Sequence, residues 1–246
     1  MNAMTVESSA RPAPAGHTTS GRLGLRLGAA CGLAHVVLEF VGFGIGAASG
    51  SYAIDSYSST AEIAKAIAQP ATIGGWIGAY LEVVAFLAFI AFAARLWATL
   101  RRAEGEPAWL AATALGAGLL FVGLTLVAFA AGGAAYYRAG HGLDVQVARA
   151  LSDVGQACFI LTWAVGAVFL GASALVILGW RALPRWLGWS AALLALTLLA
   201  AVAVPTSTLA MIPVFLFYGW LVAASIVLLR EPAAEQDRPV IAATAS

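Results

Sequence analysis

Charged residues are scarce in this sequence. Only 10% of its 246 residues are Asp, Glu, Lys or Arg and 61% are hydrophobic, whereas soluble domains contain about 25% charged and about 45–50% apolar residues. A water-soluble globule of this composition could not cover its apolar interior with polar surface. Because the apolar residues gather into long runs, the sequence predicts an all-α integral membrane protein.

The sequence also lacks several chemically specific patterns. The net charge is +1 and no dense basic patch is interleaved with aromatic residues, so no nucleic-acid partner is expected. Cys31 and Cys158, the two cysteines, form no CxxC or Cys/His cluster, which favours a packing role. No GxSxG, HExxH or aspartate-rich motif occurs, and a membrane-embedded haem would need a second histidine beside His35. Neither a metal nor a cofactor is expected.

Hydropathy read in windows of about 19 residues predicts a bundle of six transmembrane helices. About 20 helical residues cross a hydrocarbon core of about 30 Å. The predicted spans are 23–47, 71–97, 109–133, 154–180, 186–204 and 211–229. Two short amphipathic helices, at 60–69 and 143–153, are predicted to lie in the membrane interface before the second and fourth spans. The polar tails at 1–22 and 230–246 are expected to be disordered.

The distribution of basic residues predicts the orientation of this bundle, since Lys and Arg beside short loops stay in the cytoplasm. Ten of the 13 basic residues fall on one side: Arg11, Arg22, Arg26, Arg95, Arg101, Arg102, Arg181, Arg185, Arg230 and Arg238. Only Lys65, Arg138 and Arg149 fall on the other. A protein of the cytoplasmic membrane with both termini inside is expected. A cleavable signal peptide is the alternative for the first span, which is longer than such peptides need.

Two carboxylates, Glu39 and Glu82, lie inside predicted spans. An acidic residue at the centre of a membrane helix costs about 2.5–3.5 kcal/mol, so such residues usually face the bundle interior or a wet cavity. Both lie on stripes of small residues, which allow a neighbouring helix to approach closely. The stripes consist of Gly24, Gly28, Gly32, His35 and Glu39 in the first span and of Ala71, Gly75, Gly78, Glu82 and Ala85 in the second. These faces are therefore predicted to be buried in protein.

The polar residues of three spans predict a pocket in the outer half of the bundle. Glu39 and Glu82 lie at similar depths, with His35 one turn from Glu39, and Asp153 and Gln156 share a helix face at the entrance. Two carboxylates in a poorly solvated pocket repel each other, so at least one is expected to hold a proton, which His35 can relay. Such a pocket suits a cation, an amine or a proton pathway. The alternative is a set of interhelical hydrogen bonds that only fix packing, worth about 0.6 kcal/mol each.

Four sequence features together resemble a known group of proteins. They are the glycine-rich first span, the AEIAKAIAQ segment at 61–69, the arginine loop at 100–102 and the LPRWLGW hinge at 183–189. Their order over residues 22–230 resembles uncharacterised small six-helix integral membrane proteins of high-GC bacteria, classed as domains of unknown function. The resemblance implies the fold and the membrane location, and it transfers no functional residue.

Two classes of function remain open from the sequence. The favoured class is non-enzymatic: binding or passage of a small ligand, cation or proton through the pocket, or association with a membrane protein partner or a second copy. The alternative is an intramembrane enzyme that acts on a lipid or small hydrophobic substrate, with a glutamate as general acid or base. An enzyme would lose turnover when a glutamate is replaced by glutamine, whereas a partner protein would tolerate the change.

Overall fold

The computed structural model describes residues 18–51 and 58–231 and contains no strand within them. Its helices are α1 Thr18–Ala48, α2 Thr60–Ile67, α3 Ile73–Glu104, α4 Trp109–Arg138, α5 Val145–Trp180, α6 Arg185–Ala203 and α7 Met211–Arg230, with a short 3₁₀ helix at Thr208–Ala210. All α-helices except α2 are long and apolar enough to cross a membrane. The chain is therefore a multi-pass integral membrane protein built as a six-helix bundle, as the sequence predicts.

The six long helices form a ring in chain order. Each packs against the next, from α1 and α3 round to α6 and α7, and α7 closes the ring against α1. The short helix α2 covers one end of this ring, where Ile63 and Ile67 pack against Ala148 at the start of α5. The beginning of α1 and the end of α7 lie at the other end, which we call the terminal end. The hydrophobic core within the ring consists mainly of alanine, leucine and phenylalanine side chains.

The observed helix bounds differ from the predicted ones at several places. The predicted short helix at 143–153 is not separate, because α5 runs unbroken from Val145 to Trp180. No proline interrupts this stretch, and the Asp144 side chain caps its first turn by accepting from the backbone N–H of Gln146 and Val147. The first predicted short helix exists as α2. In addition, α1 begins at Thr18, inside the predicted tail, while residues 1–17 and 232–246 of the tails lie outside the described residues.

Glycines bring α1 and α3 into backbone contact. A Cβ placed on Gly78 of α3 would lie 2.7 Å from the carbonyl oxygen of Gly42 and 2.8 Å from the amide nitrogen of Gly46, both on α1. A Cβ placed on Gly42 would meet the Cγ of Glu82 at 2.8 Å. No other residue type fits at this crossing without moving a helix, which is the packing expected of small residues in membrane helices.

We expect Gly78→Ala to lower the free energy of unfolding by about 1–3 kcal/mol, the usual cost of overpacking a close contact. The obstructing atoms belong to the α1 backbone, so a side-chain rotation cannot relieve the clash. Thermal unfolding in detergent measures the change. Gly116→Ala is the matched control, because that glycine has no neighbour within 4 Å of the added carbon. Equal effects of the two substitutions would contradict the close crossing.

A buried arginine ties three helices together near the terminal end. Arg95 of α3 is only 4% exposed. Its guanidinium donates to the Leu25 carbonyl of α1, to the Thr99 hydroxyl and to the Glu231 carboxylate just beyond α7, the last at 2.6 Å. Arg95 lies inside α3, as the predicted span 71–97 requires, and this helix continues beyond the predicted end to Glu104. The predicted orientation does not depend on Arg95, since nine basic residues remain on that side without it.

Candidate functional site

A cavity of about 1500 Å³ lies within the ring at the end covered by α2. Its wall comes from every helix, although α6 contributes only Leu198. Typical ligand pockets measure about 300–1000 Å³ and are mostly apolar with a few placed polar groups. The cavity has this composition, since aromatic and aliphatic side chains such as Phe86, Phe121, Phe129 and Phe217 form most of its wall.

Both intramembrane carboxylates line this cavity. Glu82 is 1% exposed and Glu39 is partly buried. The Glu82 side chain packs against Gly42, less than one turn from Glu39 along α1. The Tyr218 hydroxyl of α7 donates to Oε1 of Glu39 at 3.5 Å. We call Glu39, Glu82 and Tyr218 the acidic wall. The close crossing of α1 and α3 brings the two carboxylates to this wall, and α7 adds Tyr218.

His35 takes a different position from the one expected. It is fully buried, and its Nδ1 donates to the Ala85 carbonyl oxygen at 2.9 Å. The rings of Phe86 and Phe89 pack edge-on against it at 5.1 Å, and the Tyr218 ring stacks on it at 5.9 Å. Its side chain does not line the cavity. The His35 ring therefore packs beneath Tyr218 in the core, and its Nδ1 is bonded to the Ala85 carbonyl.

The two α5 residues expected at the entrance are separated. Gln156 lines the cavity, whereas Asp153 is exposed and does not. The face of α5 towards the cavity runs through Ser152, Gln156, Phe159, Trp163 and Gly166, at helical steps of three and four residues. Asp153 lies beside this row.

The acidic wall has a neutral counterpart, of which only Gln156 was predicted from the sequence. We call Thr125 of α4 and Gln156, Thr162 and Trp163 of α5 the neutral wall; all four line the cavity. Both threonine hydroxyls donate to carbonyls of their own helices, at Phe121 and Phe159. The periodic row from Ser152 to Gly166 was the available sequence signal for Trp163, but a helix has other rows that are equally regular.

The described residues contain no group of three or more His, Cys, Asp or Glu side chains that could hold a metal ion. No protein family, curated protein or solved structure matches the chain. Two carboxylates near each other in a poorly solvated site repel when ionised, and a cation between them removes that repulsion. Attraction between opposite charges is also stronger there than in water.

Proposed function

We propose that this protein binds amphiphilic molecules that have a positively charged amine and an apolar body. The observation that carries the proposal is the pair Glu39 and Glu82 on one wall of a large cavity that is otherwise mostly apolar. The carboxylates select a cation, and the rest of the wall selects hydrophobic surface. A ligand with only one of these properties would match either the carboxylates or the apolar wall, but not both.

The shape of the site favours an organic cation over a metal ion. A volume of about 1500 Å³ is far larger than an ion needs, and hard cations such as Ca²⁺ require six to eight oxygen ligands at short range. Aromatic rings also attract an ammonium group through their faces. Phe43, Trp76 and Tyr218 line the cavity and supply such rings.

We expect dodecyltrimethylammonium to bind the protein in nanodiscs at least tenfold more tightly than 1-dodecanol does. The two probes share the same alkyl chain, so the comparison isolates the charge. Titration against empty nanodiscs of the same lipid corrects for partition into the bilayer. Dodecyl sulfate is the control of opposite charge and is expected to bind most weakly. Equal affinities of the three probes, or a preference for the sulfate, would refute the proposed function.

The recovered probes separate binding from catalysis. In an enzyme that used Glu39 or Glu82 as a general acid or base, the natural ligand would be a substrate and some related amines would be converted. Mass spectrometry of probes recovered after long incubation detects such conversion. The proposed binding function requires that the probes be recovered unchanged.

We also propose that both termini are cytoplasmic and that the cavity opens on the outer side of the cytoplasmic membrane. The charge asymmetry supports this orientation. Alkaline phosphatase, which is active only outside the cytoplasm, is expected to be inactive when fused after Ser246 and active when inserted after His141, between α4 and α5. The reversed pattern of phosphatase activity would show that the termini lie outside the cytoplasm and would contradict the proposed orientation.

A further inference from the structure

A second polar group, the indole N–H of Trp163, belongs to a residue of the cavity wall and has no role in the proposed function. Trp163 is 3% exposed, and its indole Nε1 has no hydrogen-bond acceptor among the residues that the structure describes. Buried polar groups in folded proteins nearly always have a partner, because an unpaired buried N–H is costly. The indole N–H is a donor only. An acceptor is therefore missing at this position.

The surroundings of Trp163 do not supply this acceptor. The Phe159 ring packs edge-on against it at 5.5 Å. Gly166 and Leu198 continue the same part of the cavity wall with apolar surface. The Thr162 hydroxyl donates to the Phe159 carbonyl and forms no hydrogen bond with Nε1 of Trp163. Of the space around Trp163, the part that no protein atom fills is the cavity, which this side chain lines.

The position of Trp163 relative to the carboxylates gives the cavity two different polar ends. Glu39 and Glu82 lie on α1 and α3, whereas Trp163 lies on α5. In the ring, α5 is separated from α1, which carries Glu39, by α3 and α4 on one side and by α6 and α7 on the other, whereas α3, which carries Glu82, is nearer and also contacts α5 directly. A molecule that fills the cavity can therefore contact a negatively charged wall and, across it, a neutral donor.

We propose that the ligand has a neutral acceptor oxygen, such as an amide or ester carbonyl, that accepts a hydrogen bond from Nε1 of Trp163. This inference rests on the proposed function and specifies its ligand class as amine amphiphiles with an acyl linkage. The amine contacts the acidic wall, the carbonyl contacts Trp163, and the apolar body covers the rings of the wall. Trp163 thereby acts as a specificity-determining residue.

A probe series measures this contact directly. The probes are N-(aminoalkyl)decanamides with two, four, six or eight methylene groups between the nitrogens, each paired with a simple alkylamine of equal length. We expect at least one decanamide to bind the wild-type protein about tenfold more tightly than its paired alkylamine, as one hydrogen bond in a buried site allows. The spacing with the greatest advantage reports the distance between the acidic wall and Trp163.

Trp163→Phe removes the N–H and keeps an aromatic ring. In this variant the ratio of the two affinities, that of the best decanamide to that of its paired alkylamine, is expected to fall about tenfold, because the ratio cancels any change in the apolar contact that both probes make with the ring. Trp189→Phe is the matched control, because Trp189 is 65% exposed and does not line the cavity. Both affinities should remain unchanged in that control.

Two outcomes would overturn the inference. One is the absence of any decanamide advantage in the wild-type protein at all four spacings, a comparison that needs no variant to fold. The other is a Trp163→Phe protein that loses affinity equally for both probe classes. The alkylamines report independently on the proposed function, since their binding depends on the carboxylates and the apolar wall and not on the N–H of Trp163. Failure of the acyl contact with retained alkylamine binding would leave the proposed function standing.

Discussion

Glu82→Gln is expected to weaken the binding of dodecyltrimethylammonium about tenfold to a hundredfold and to leave the binding of 1-dodecanol unchanged. Glutamine has the same shape as glutamate, so the packing against Gly42 is kept and only the negative charge is lost. Interactions that involve a charged partner in a buried site contribute about 1.5–3 kcal/mol, which corresponds to this range of affinity. Titration in nanodiscs with both probes measures the two effects side by side.

Glu106→Gln is the control with the same chemical change. Glu106 precedes α4 at the terminal end, away from the cavity, and its side chain is 76% exposed in an ion pair with Arg101. We expect this variant to bind both probes as the wild-type protein does. If Glu82→Gln and Glu106→Gln lower ammonium binding equally, the effect comes from the overall charge of the protein, and the acidic wall is not a binding site.

Glu231→Ala is expected to destabilise the protein by about 3–5 kcal/mol. Its carboxylate is the charged partner of Arg95, whose side chain is 2% exposed. Removing one member of a buried ion pair leaves the other charge without compensation, which is the source of this cost. The remaining hydrogen bonds of Arg95 go to neutral oxygens, at Leu25 and Thr99. Thermal unfolding in detergent is expected to show a clear fall in Tm.

The surface pair of Arg101 and Glu106 provides the comparison for this measurement. Its two side chains are 50% and 76% exposed, and exposed pairs contribute about 0–1 kcal/mol. Glu106→Ala should therefore change Tm little. A Tm for Glu231→Ala that matches Glu106→Ala would show that the contact of Arg95 with Glu231 does not hold α3 and α7 together. Because this cluster is distant from the cavity, folded Glu231→Ala protein should keep its affinity for the ammonium probe.

Hydropathy was sufficient to predict the six membrane helices, because it depends on composition along the chain and not on contacts between helices. The residues at which the helices begin and end were less predictable. Continuation of α5 through residues 145–153 depends on the absence of a helix-breaking residue there, while the polarity of those residues favoured a separate interfacial helix. The burial of Arg95 could not be read from the sequence, because its charge is compensated by the carboxylate that follows α7, a partner 136 residues away.

The sequence by itself determined the number of spans and the small-residue faces that carry Glu39 and Glu82, since apolar length and helical spacing are properties of single segments. Only the tertiary structure decided which of those faces border a cavity. It placed Tyr218 and Trp163 on the wall and left His35 and Asp153 away from it. The reason is that a cavity is the space that several helices leave between them, and its extent depends on their spacing and rotation, which no single helix encodes.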